Sequence, residues 1–387
     1  MIDKETIYGW VKDLPVVDWH NHLDPKALAA DAPFGSLYEV WVKPDPYKHR
    51  AMRICGVPER LITGDAPETE KMAAWEATLP KLVGNPLFVW SQMELDFLKA
   101  HPLETLTPKK ILKAFNVEYA SPCMTAEELV RRASCPSGPS ETRIAPSLRM
   151  NAGERIPEDV LGRFHAAGCR VVDISVDDDD SLDREFDSLA AVAGFAAAHG
   201  WTMLLHMGAL RSTSDRLRAV AGPAGGFAGM CVPVDPQKVA RFLNRLESMA
   251  SRPSGLPRTI LLSLNPEAHA QLAVLSGSFV EDGVPGKVQL GPAWWWCDHK
   301  EGIFDVFEKN AAYSVLSAFV GMTTDSRSLL SFVRHDYFRR LLAEWMAKKV
   351  AAGDFPDDES LLRPIAENIC YRNAAARFVV ENENLER

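Results

Sequence analysis

The stretch Val16-Val17-Asp18-Trp19-His20-Asn21-His22 is an apolar run that ends in two histidines one residue apart. Its valines and tryptophan are typical of a β-strand, and residues i and i+2 of a strand point to the same face. His20 and His22 should therefore project together from the carboxyl end of that strand. Two imidazoles on one rigid element form half of a transition-metal site. The alternative is a chance pair of polar groups that caps a strand, and the rest of the sequence distinguishes between the two.

Seven further β-rich runs follow, and helical patterns alternate with them along the chain. The predicted strands are Val16–His22, Val117–Ala120, Arg143–Leu148, Arg170–Val176, Thr202–Met207, Thr259–Leu264, Lys287–Leu290 and Ala318–Thr324. The predicted helices are Thr125–Ala133, Glu158–Ala167, Ser181–His199, Pro236–Ala250, Glu267–Gly277, Gly302–Ser314 and Ser328–Ala351. Repeated strand–helix alternation of this kind predicts an α/β fold, specifically a parallel (β/α)8 TIM-like barrel.

The interval between the first two predicted strands is much longer than the others. Residues 27–113 are rich in tryptophan, proline and helix-forming residues, and Lys71–Leu82 is an amphipathic helix candidate. We interpret this stretch as a helical insertion within the first βα connection, and residues 1–387 as a single barrel domain. Insertions in that connection lie on the catalytic face of a barrel and commonly cover the pocket.

Composition excludes several classes of protein. The chain has 387 residues, 47% hydrophobic and 25% charged, as expected of a soluble globular protein with a large core. A formal net charge of −9 argues against nucleic acid or an anionic membrane as partner. The seven cysteines form no Cys-x-x-Cys pair, which argues against zinc knuckles and thioredoxin-like motifs. Neither a signal peptide nor a run of about 18 apolar residues is present, so we expect a cytoplasmic protein.

Functional side chains stand where the predicted strands finish, the face that carries catalytic groups in a barrel. They are His20, His22, Ser121, Arg149, Asp173, His206, Asn265, Trp294, Trp295, Asp325 and Arg327. Taken singly, His206 could be a core histidine with satisfied hydrogen bonds, and Asp325 could cap the following helix. Together with His20 and His22, however, they supply three imidazoles and a carboxylate, which fits zinc or a similar divalent ion.

Two arginines accompany this set. The guanidinium groups of Arg149 and Arg327 match a carboxylate in bidentate fashion, which suggests an anionic, oxygen-rich substrate. The structural alternative is that they pair with Asp173 or Asp325 and hold the face of the barrel rigid.

Longer motifs extend over nearly the whole chain. They are His20-Asn21-His22-Leu23-Asp24-Pro25, Tyr47-Lys48, Arg50-Ala51-Met52-Arg53, Leu61-Ile62-Thr63-Gly64-Asp65-Ala66, Gly84-Asn85-Pro86-Leu87, Leu205-His206-Met207-Gly208-Ala209-Leu210-Arg211, Leu264-Asn265-Pro266, Trp294-Trp295 with Asp298 and Lys300, Gly321-Met322-Thr323-Thr324-Asp325-Ser326-Arg327-Ser328, Arg334-His335-Asp336-Tyr337-Phe338-Arg339-Arg340, and Ile369-Cys370-Tyr371 with Asn373-Ala374. In these motifs the sequence resembles the uronate isomerases, a branch of the amidohydrolase superfamily. The resemblance implies a barrel of the metal-dependent hydrolase type.

The resemblance also implies a reaction, the reversible aldose–ketose isomerisation of a hexuronate through a cis-enediol. D-glucuronate would give D-fructuronate, or D-galacturonate would give D-tagaturonate. His20, His22, His206 and Asp325 would surround a divalent metal; zinc is expected, and manganese, iron or cobalt fits the same donors. Asp325 would remove the C2 proton, and no nucleotide cofactor is expected.

The same resemblance assigns residues to the substrate. Tyr47 would be an acid/base partner or bind a hydroxyl, and Asp173 would order a hydroxyl or an arginine. Arg149 and Arg327 would hold the C6 carboxylate or other substrate oxygens, and Arg327 would also belong to the catalytic residues with Asp325 and Tyr47. Trp294 and Trp295 would wall the site, although both could equally be packed aromatics of the barrel.

Several loop residues depart from the family pattern. The family usually has histidine and tryptophan at the positions of Pro46 and His49, and a Thr-Asp-Asp-Pro stretch in place of Ser121-Pro122-Cys123-Met124. It also has a run of asparagines in place of Ser212-Thr213-Ser214, and asparagine and glutamine in place of Cys297 and His299. The substrate therefore stays open. One alternative is a metal-dependent hydrolase of a sugar-acid lactone or a related anionic sugar derivative, and another is a sugar-acid-binding protein without catalysis. A homo-oligomer is compatible with the sequence.

Overall fold

The structure is a computed structural model that describes residues 1–130, 142–211, 213–222, 225–249 and 255–379. Within these ranges the strands are β1 (Val16–Asn21), β2 (Val117–Met124), β3 (Arg143–Ile144), β4 (Ser147–Asn151), β5 (Val171–Val176), β6 (Thr202–Met207), β7 (Ala209–Leu210), β8 (Gly229–Met230), β9 (Arg258–Ser263) and β10 (Val288–Leu290). The strands β5 and β6 are buried along their whole length. Near-continuous apolar runs of this kind are typical of parallel strands covered on both faces.

The main sheet is parallel and curled. Its strands lie in the order β1-β2-β4-β5-β6-β9-β10, and β3 pairs with β2 beside this path. The short strands β7 and β8 form a separate antiparallel pair beyond the end of β6. Helices follow most of the strands of the main sheet, so the predicted (β/α)8 barrel class is confirmed.

The predicted eighth strand, Ala318–Thr324, is wrong as a strand. A 3₁₀ turn covers Leu316–Ala318, and the residues after it up to 326 have no strand assignment. This segment still lies beside β1, because Asp325 N donates to His20 O (3.1 Å) and His22 N donates to Ser326 O (2.8 Å).

Side chains replace a regular ladder along this segment. Asp18 in β1 accepts hydrogen bonds from Thr324 N (2.6 Å) and from the hydroxyl of Thr323 (2.8 Å). Gly321 has a φ of 76°, and a Cβ there would lie 2.0 Å from the carbonyl oxygen of Ile369. The backbone therefore turns through a conformation that favours glycine instead of running extended.

Two other predicted strands differ from the structure by more than one residue at an end, whereas β1, which ends at Asn21, and β5, β9 and β10 differ by no more than a single residue at either end. β2 continues past Ala120 to Met124. The predicted strand Arg143–Leu148 is two short strands, β3 and β4, because Pro146 lies between them and cannot donate a ladder hydrogen bond. As a result, the ends of β2 and β4 reach further toward the mouth of the barrel than the sequence patterns predicted.

The helices are α1 (Lys4–Val11), α2 (Pro25–Ala30), α3 (Leu37–Trp41), α4 (Pro46–Ile54), α5 (Glu68–Thr78), α6 (Pro86–Ala100), α7 (Pro108–Ala114), α8 (Ala126–Val130), α9 (Glu158–Ala166), α10 (Ser181–Arg184), α11 (Phe186–Ala198), α12 (Asp215–Ala221), α13 (Pro236–Glu247), α14 (His269–Val274), α15 (Lys300–Tyr313), α16 (Val333–Ala352) and α17 (Glu359–Glu367). The predicted helix Ser181–His199 is divided into α10 and α11. Residues 131–133 of the predicted helix Thr125–Ala133 and residue Ala250 of the predicted helix Pro236–Ala250 lie outside the described residues.

Helices α2 to α7 lie between β1 and β2 and form the predicted insertion. Several of them begin with a capping side chain followed by proline, as at Asp45-Pro46, where Asp45 accepts from Tyr47 N at 2.9 Å. Lys48 is fully buried and pairs with Asp45 (2.8 Å) and Glu94 (2.9 Å). The apolar residues of the insertion form one cluster with barrel residues. Its assignment to a single barrel domain stays a prediction.

Candidate active site

The carboxyl ends of β1 and β6 meet the segment after Gly321 at one face of the barrel. His20 and His22 leave β1 there, and the carboxylate of Asp325 lies between them. Its Oδ1 atom is 3.0 Å from Nε2 of His20 and 3.0 Å from Nε2 of His22. His20 is 1% exposed, whereas the His22 side chain is 24% exposed, so the pair extends from the core toward the opening. The predicted shared face of the two histidines and Asp325 is therefore present.

His206 completes the group of imidazoles at the end of β6. Its ring centroid is 4.9 Å from that of His20 and 4.6 Å from that of Trp294. Its Nδ1 atom lies 2.6 Å from Oδ1 of Asp173, and Trp294 Nε1 donates to Oδ2 of Asp325 at 2.6 Å. Each oxygen of the Asp325 carboxylate thus has a partner, and Asp173 orients His206.

The backbone is strained at two positions of this site. Asp325 has a φ of 47° and Trp295 a φ of 49°, in the left-handed region that residues other than glycine rarely adopt. Strain of about 1–3 kcal/mol per residue persists only where surrounding contacts enforce it, and it is concentrated at functional sites. At Asp325 those contacts are the bonds to β1 described above.

Charge and burial fix the protonation states. Burial opposes ionisation of Asp325, but hydrogen bonds from His20 and His22 hold its pKa well below the ordinary value. Burial also opposes ionisation of Asp173, but the charge of Arg149 and the nearby His206 hold the pKa of Asp173 well below its ordinary value. Both groups are therefore carboxylates at neutral pH.

The three imidazoles differ from one another. Burial lowers the pKa of His22 to about 4, and the charge of Arg327 adds to this effect. Burial also lowers the pKa of His206. Burial opposes the charged form of His20, but Cys123 and Asp173 raise its pKa well above the ordinary value. His22 and His206 are therefore neutral at neutral pH.

Arg149 adopts the structural alternative considered for it. Its guanidinium donates to Asp173 and to Ser175 on the neighbouring strand β5. Arg327 is exposed, and its positive charge contributes to the lowered pKa of His22. The two arginines thus differ: Arg149 is paired within the barrel, whereas the charge of Arg327 faces solvent beside His22.

Tyr47 reaches the site from helix α4. Its side chain is buried, and its hydroxyl has no hydrogen-bond partner among the described residues. Burial raises the pKa of Tyr47 well above its ordinary value, and Asp298 and Asp325 contribute to the rise. The phenol therefore stays protonated and has a proton to donate.

Aromatic rings and the loop after β7 cover the site. Trp294, Trp295 and Trp296 stack in series, with centroids 5.2 Å and 5.5 Å apart. Trp296 donates to Ala228 O at 3.1 Å, and the guanidinium of Arg50 lies 4.2 Å from the Trp296 ring. Residues of the segment between β1 and β2 and of this loop therefore meet at Trp296, and the role of the segment as a cap stays a prediction.

The sequence patterns missed two residues of the site. Cys123 contacts both His20 and Asp173, at 3.4 Å each, because β2 extends to Met124. Arg211 donates to Ser175 at 2.9 Å, and its guanidinium lies 5.3 Å from the Trp295 ring. Arg211 is the last residue of the motif that begins at Leu205, and that motif could have identified it as a site residue. Cys123, by contrast, lies in a stretch that departs from the family pattern, so no motif pointed to it.

The donor set suits a divalent metal ion. Ligand atoms of tetrahedral zinc lie about 3.3 Å apart when the bonds are about 2.0–2.1 Å. The 3.0 Å separations between Asp325 Oδ1 and the two Nε2 atoms are close to that value. A second group of candidate donors, His20, Asp173 and His206, has ligand atoms within 4.8 Å of one another.

Comparison with known proteins identifies the family of this chain. The sequence profile of the family described as glucuronate isomerase matches residues 3–136 and 173–378. The chain belongs to the glucuronate isomerase family. A uronate isomerase of Caldicellulosiruptor bescii is 34% identical over 446 residues, which covers 95% of each chain.

Solved structures confirm the fold of this family member. A uronate isomerase from Thermotoga maritima superposes with a TM-score of 0.83 at 24% identity, covering 97% of both chains. A glucuronate isomerase from Caulobacter crescentus superposes with a TM-score of 0.81 at 19% identity, covering 99% of this chain and 95% of that one. The family profile and the Caldicellulosiruptor bescii relative show that the chain is an isomerase, so the predicted enzyme class is confirmed and the hydrolase alternative is not favoured. Among the described residues, no helix has the length and apolar character needed to cross a membrane.

Proposed function

We propose that this aldose–ketose isomerase interconverts D-glucuronate and D-fructuronate at the site around Asp325, with D-galacturonate and D-tagaturonate as the second pair to be tested. The observation that supports the site most strongly is the bridging carboxylate of Asp325, which contacts His20, His22 and Trp294 at once. We also keep the cytoplasmic location and a homo-oligomeric state as predictions.

His20, His22 and Asp325 would hold a divalent metal ion, with His206 beside them. Zinc is the ion we propose first, because imidazole nitrogens and one carboxylate oxygen suit it, although manganese, iron and cobalt accept the same donors. The ion would polarise the oxygens on C1 and C2 of the bound sugar and so increase the acidity of the C2 proton.

Asp325 is proposed to move the proton. Its low pKa makes it a carboxylate at neutral pH, and its fixed position between two imidazoles and an indole limits the directions from which it can be approached. In the aldose-to-ketose direction it takes the proton from C2 while O1 receives a proton from Tyr47, which gives the neutral cis-enediol. Asp325 then returns a proton to C1 as the O2 hydroxyl gives one back to Tyr47, and the ketose results. No atom is gained or lost, as an isomerisation requires.

Tyr47 is proposed to donate its proton to a sugar oxygen. Its hydroxyl is buried and unpartnered among the described residues, so a substrate oxygen would supply the hydrogen bond that it lacks. We propose that Tyr47 in this way neutralises the negative charge that develops on O1 as C2 loses its proton, and that it recovers a proton from the O2 hydroxyl when the ketose forms.

Arg327 is the better of the two predicted arginines for binding the C6 carboxylate. Its guanidinium is exposed beside His22, whereas Arg149 is already paired with Asp173. Arg149 and Asp173 together would then orient a sugar hydroxyl or hold the floor of the site, and Trp294 and Trp295 would exclude water from one side.

The test is an NMR assay in deuterated water with a panel of hexuronates and related aldonates, with and without a chelator. We expect D-glucuronate or D-galacturonate to form its ketose, with deuterium at C1 of the ketose and at C2 of the recovered aldose. Formation of no ketose and no exchange with either uronate would contradict the proposal. Hydrolysis of a lactone by the metal-loaded protein, without isomerisation, would favour the hydrolase alternative instead.

A further inference from the structure

Cys123 lies at the centre of the site without a role in the proposed reaction. Its Sγ atom is 3.4 Å from Nδ1 of His20, 3.4 Å from Oδ2 of Asp173 and 3.3 Å from Oγ of Ser147. The ligand atoms of His20, His22 and Cys123 lie within 4.8 Å of one another. A thiol in this place could either bind the ion directly or hold one of its ligands.

The two nitrogens of His20 distinguish between these roles. Nε2 lies 3.0 Å from Asp325 Oδ1, the same oxygen that lies 3.0 Å from Nε2 of His22. An ion held by these three residues would use Nε2 of His20. The sulfur of Cys123 faces the other nitrogen, Nδ1, and one ion cannot bind both nitrogens of a single ring. The geometry therefore favours a hydrogen bond to His20 over a bond to the metal.

The direction of the hydrogen bonds follows from Asp173. Its carboxylate can only accept, so the hydrogen of the Cys123 thiol points to Oδ2 of Asp173. The sulfur then presents a lone pair to His20, and Nδ1 of His20 must carry the hydrogen that fills it. Histidine ligands of metals commonly donate their second ring N–H to a carboxylate or a carbonyl, which fixes the tautomer and the ring orientation.

We propose that Cys123 is a positioning residue for the metal ligand His20: it accepts the Nδ1 hydrogen of His20, donates to Asp173, and so leaves the Nε2 lone pair free for the ion. This inference rests on the metal site of the proposed function. It also links the ligand to Asp173, which in turn orients His206 and pairs with Arg149. Two imidazoles of the site are thereby oriented through one carboxylate.

The experiment measures zinc affinity by competition with a chelator. Removal of a side chain that hydrogen-bonds to a metal ligand lowers metal affinity by about 10- to 100-fold. We expect a decrease of zinc affinity of this size in Cys123→Ala. We expect Cys123→Ser to keep most of the affinity, because its hydroxyl can accept and donate in the same directions. Cys55→Ser, at a partly buried cysteine that follows helix α4, is the matched control and should bind zinc like the wild type.

Two further measurements do not require a stable alanine variant. Long-range ¹H–¹⁵N NMR spectra of the zinc-loaded wild type should show His20 protonated at Nδ1. The cobalt-loaded wild type should lack the intense near-ultraviolet band of a thiolate–cobalt bond. A His20 protonated at Nε2, a thiolate–cobalt band, wild-type affinity in Cys123→Ala, or a wild-type protein that binds no ion would each overturn the inference.

Failure of the inference is distinguishable from failure of the proposed function. Ketose formation by the wild type with unchanged zinc affinity in Cys123→Ala would overturn the role of Cys123 alone. Weaker zinc binding in that variant, with no ketose formed by the wild type, would overturn the proposed reaction alone.

Discussion

Replacement of Asp325 by asparagine separates the charge of this residue from its shape. The carboxylate has three close partners, Nε2 of His20 and of His22 at 3.0 Å each and Nε1 of Trp294 at 2.6 Å. The amide oxygen of the variant can still accept from the imidazoles. Its NH2 group would then face the indole N–H of Trp294, which brings two donors together. We expect the free energy of unfolding to fall by about 1–3 kcal/mol as a result.

The expected loss of activity is larger. Removing a general base costs about 10²- to 10⁴-fold in rate, which corresponds to about 2.7–5.5 kcal/mol of activation free energy. Asp325 is also a proposed ligand of the ion, so we expect the upper end of this range for Asp325→Asn. The measurement is kcat for ketose formation together with deuterium incorporation from the solvent, which reports proton removal directly.

A matched control is available in Asp305→Asn. This carboxylate also contacts a histidine, Nδ1 of His269 at 2.8 Å, but it belongs to helix α15 and touches none of the proposed site residues. We expect unchanged kcat in this variant. Wild-type turnover and exchange in folded Asp325→Asn protein would refute the assignment of Asp325 as the base.

Three further substitutions and one control variant test other parts of the structure. Tyr47→Phe should lower kcat about 100-fold with little change in the free energy of unfolding, because the hydroxyl that it removes has no partner among the described residues; parallel loss of stability in urea would argue for a structural hydroxyl. Gly321→Ala should lose about 3 kcal/mol of stability, since its Cβ would lie 2.0 Å from Ile369 O at a φ of 76°. Gly353 is the control, because it has a φ of 80° but a Cβ there would have no neighbour among the described residues within 4 Å. Gly353→Ala should therefore lose only about 1–2 kcal/mol of stability. Equal losses of stability in the two variants would show that the contact with Ile369 O has no effect. Asp18→Asn should lose about 3 kcal/mol at pH 7. Burial opposes ionisation of Asp18, but hydrogen bonds from His335 and Thr324 hold the pKa of Asp18 below its ordinary value. The contribution of the Asp18 carboxylate to the free energy of unfolding is therefore present above about pH 4 and is lost as the pH falls through the pKa of the folded state. Urea unfolding between pH 3 and 7 should therefore show a weaker acid dependence in the variant, and an unchanged dependence would contradict this account.

Local patterns in the sequence were sufficient for the barrel class and for part of the site. The period of two in β1 placed His20 and His22 on one face, and the end of β6 placed His206 beside them. Such patterns depend only on neighbours along the chain, because side-chain direction in a strand follows from the backbone. The structure also places Asp325 beside these histidines, although the segment before it is not a strand.

Contacts between distant segments were not accessible in the same way. The sequence left the role of Arg149 open between a substrate and a structural partner, and its pairing with Asp173 depends on the register of β4 against β5. The end of β2 was placed at Ala120, so Cys123 was not recognised beside His20. A strand end shifted by a few residues changes which side chains reach the mouth of the barrel, and local propensity does not fix that end.

The sequence by itself determined that strands and helices alternate, that paired histidines end the first strand, and that a carboxylate follows Gly321 and the two threonines after it. Only the tertiary structure decided how these groups are held. The bonds from Asp18 to Thr323 and Thr324 cross about 305 residues of chain and enforce the left-handed backbone of Asp325. Periodicity is a property of each segment alone, whereas the position of Asp325 between His20 and His22 results from packing of β1 against the segment after Gly321.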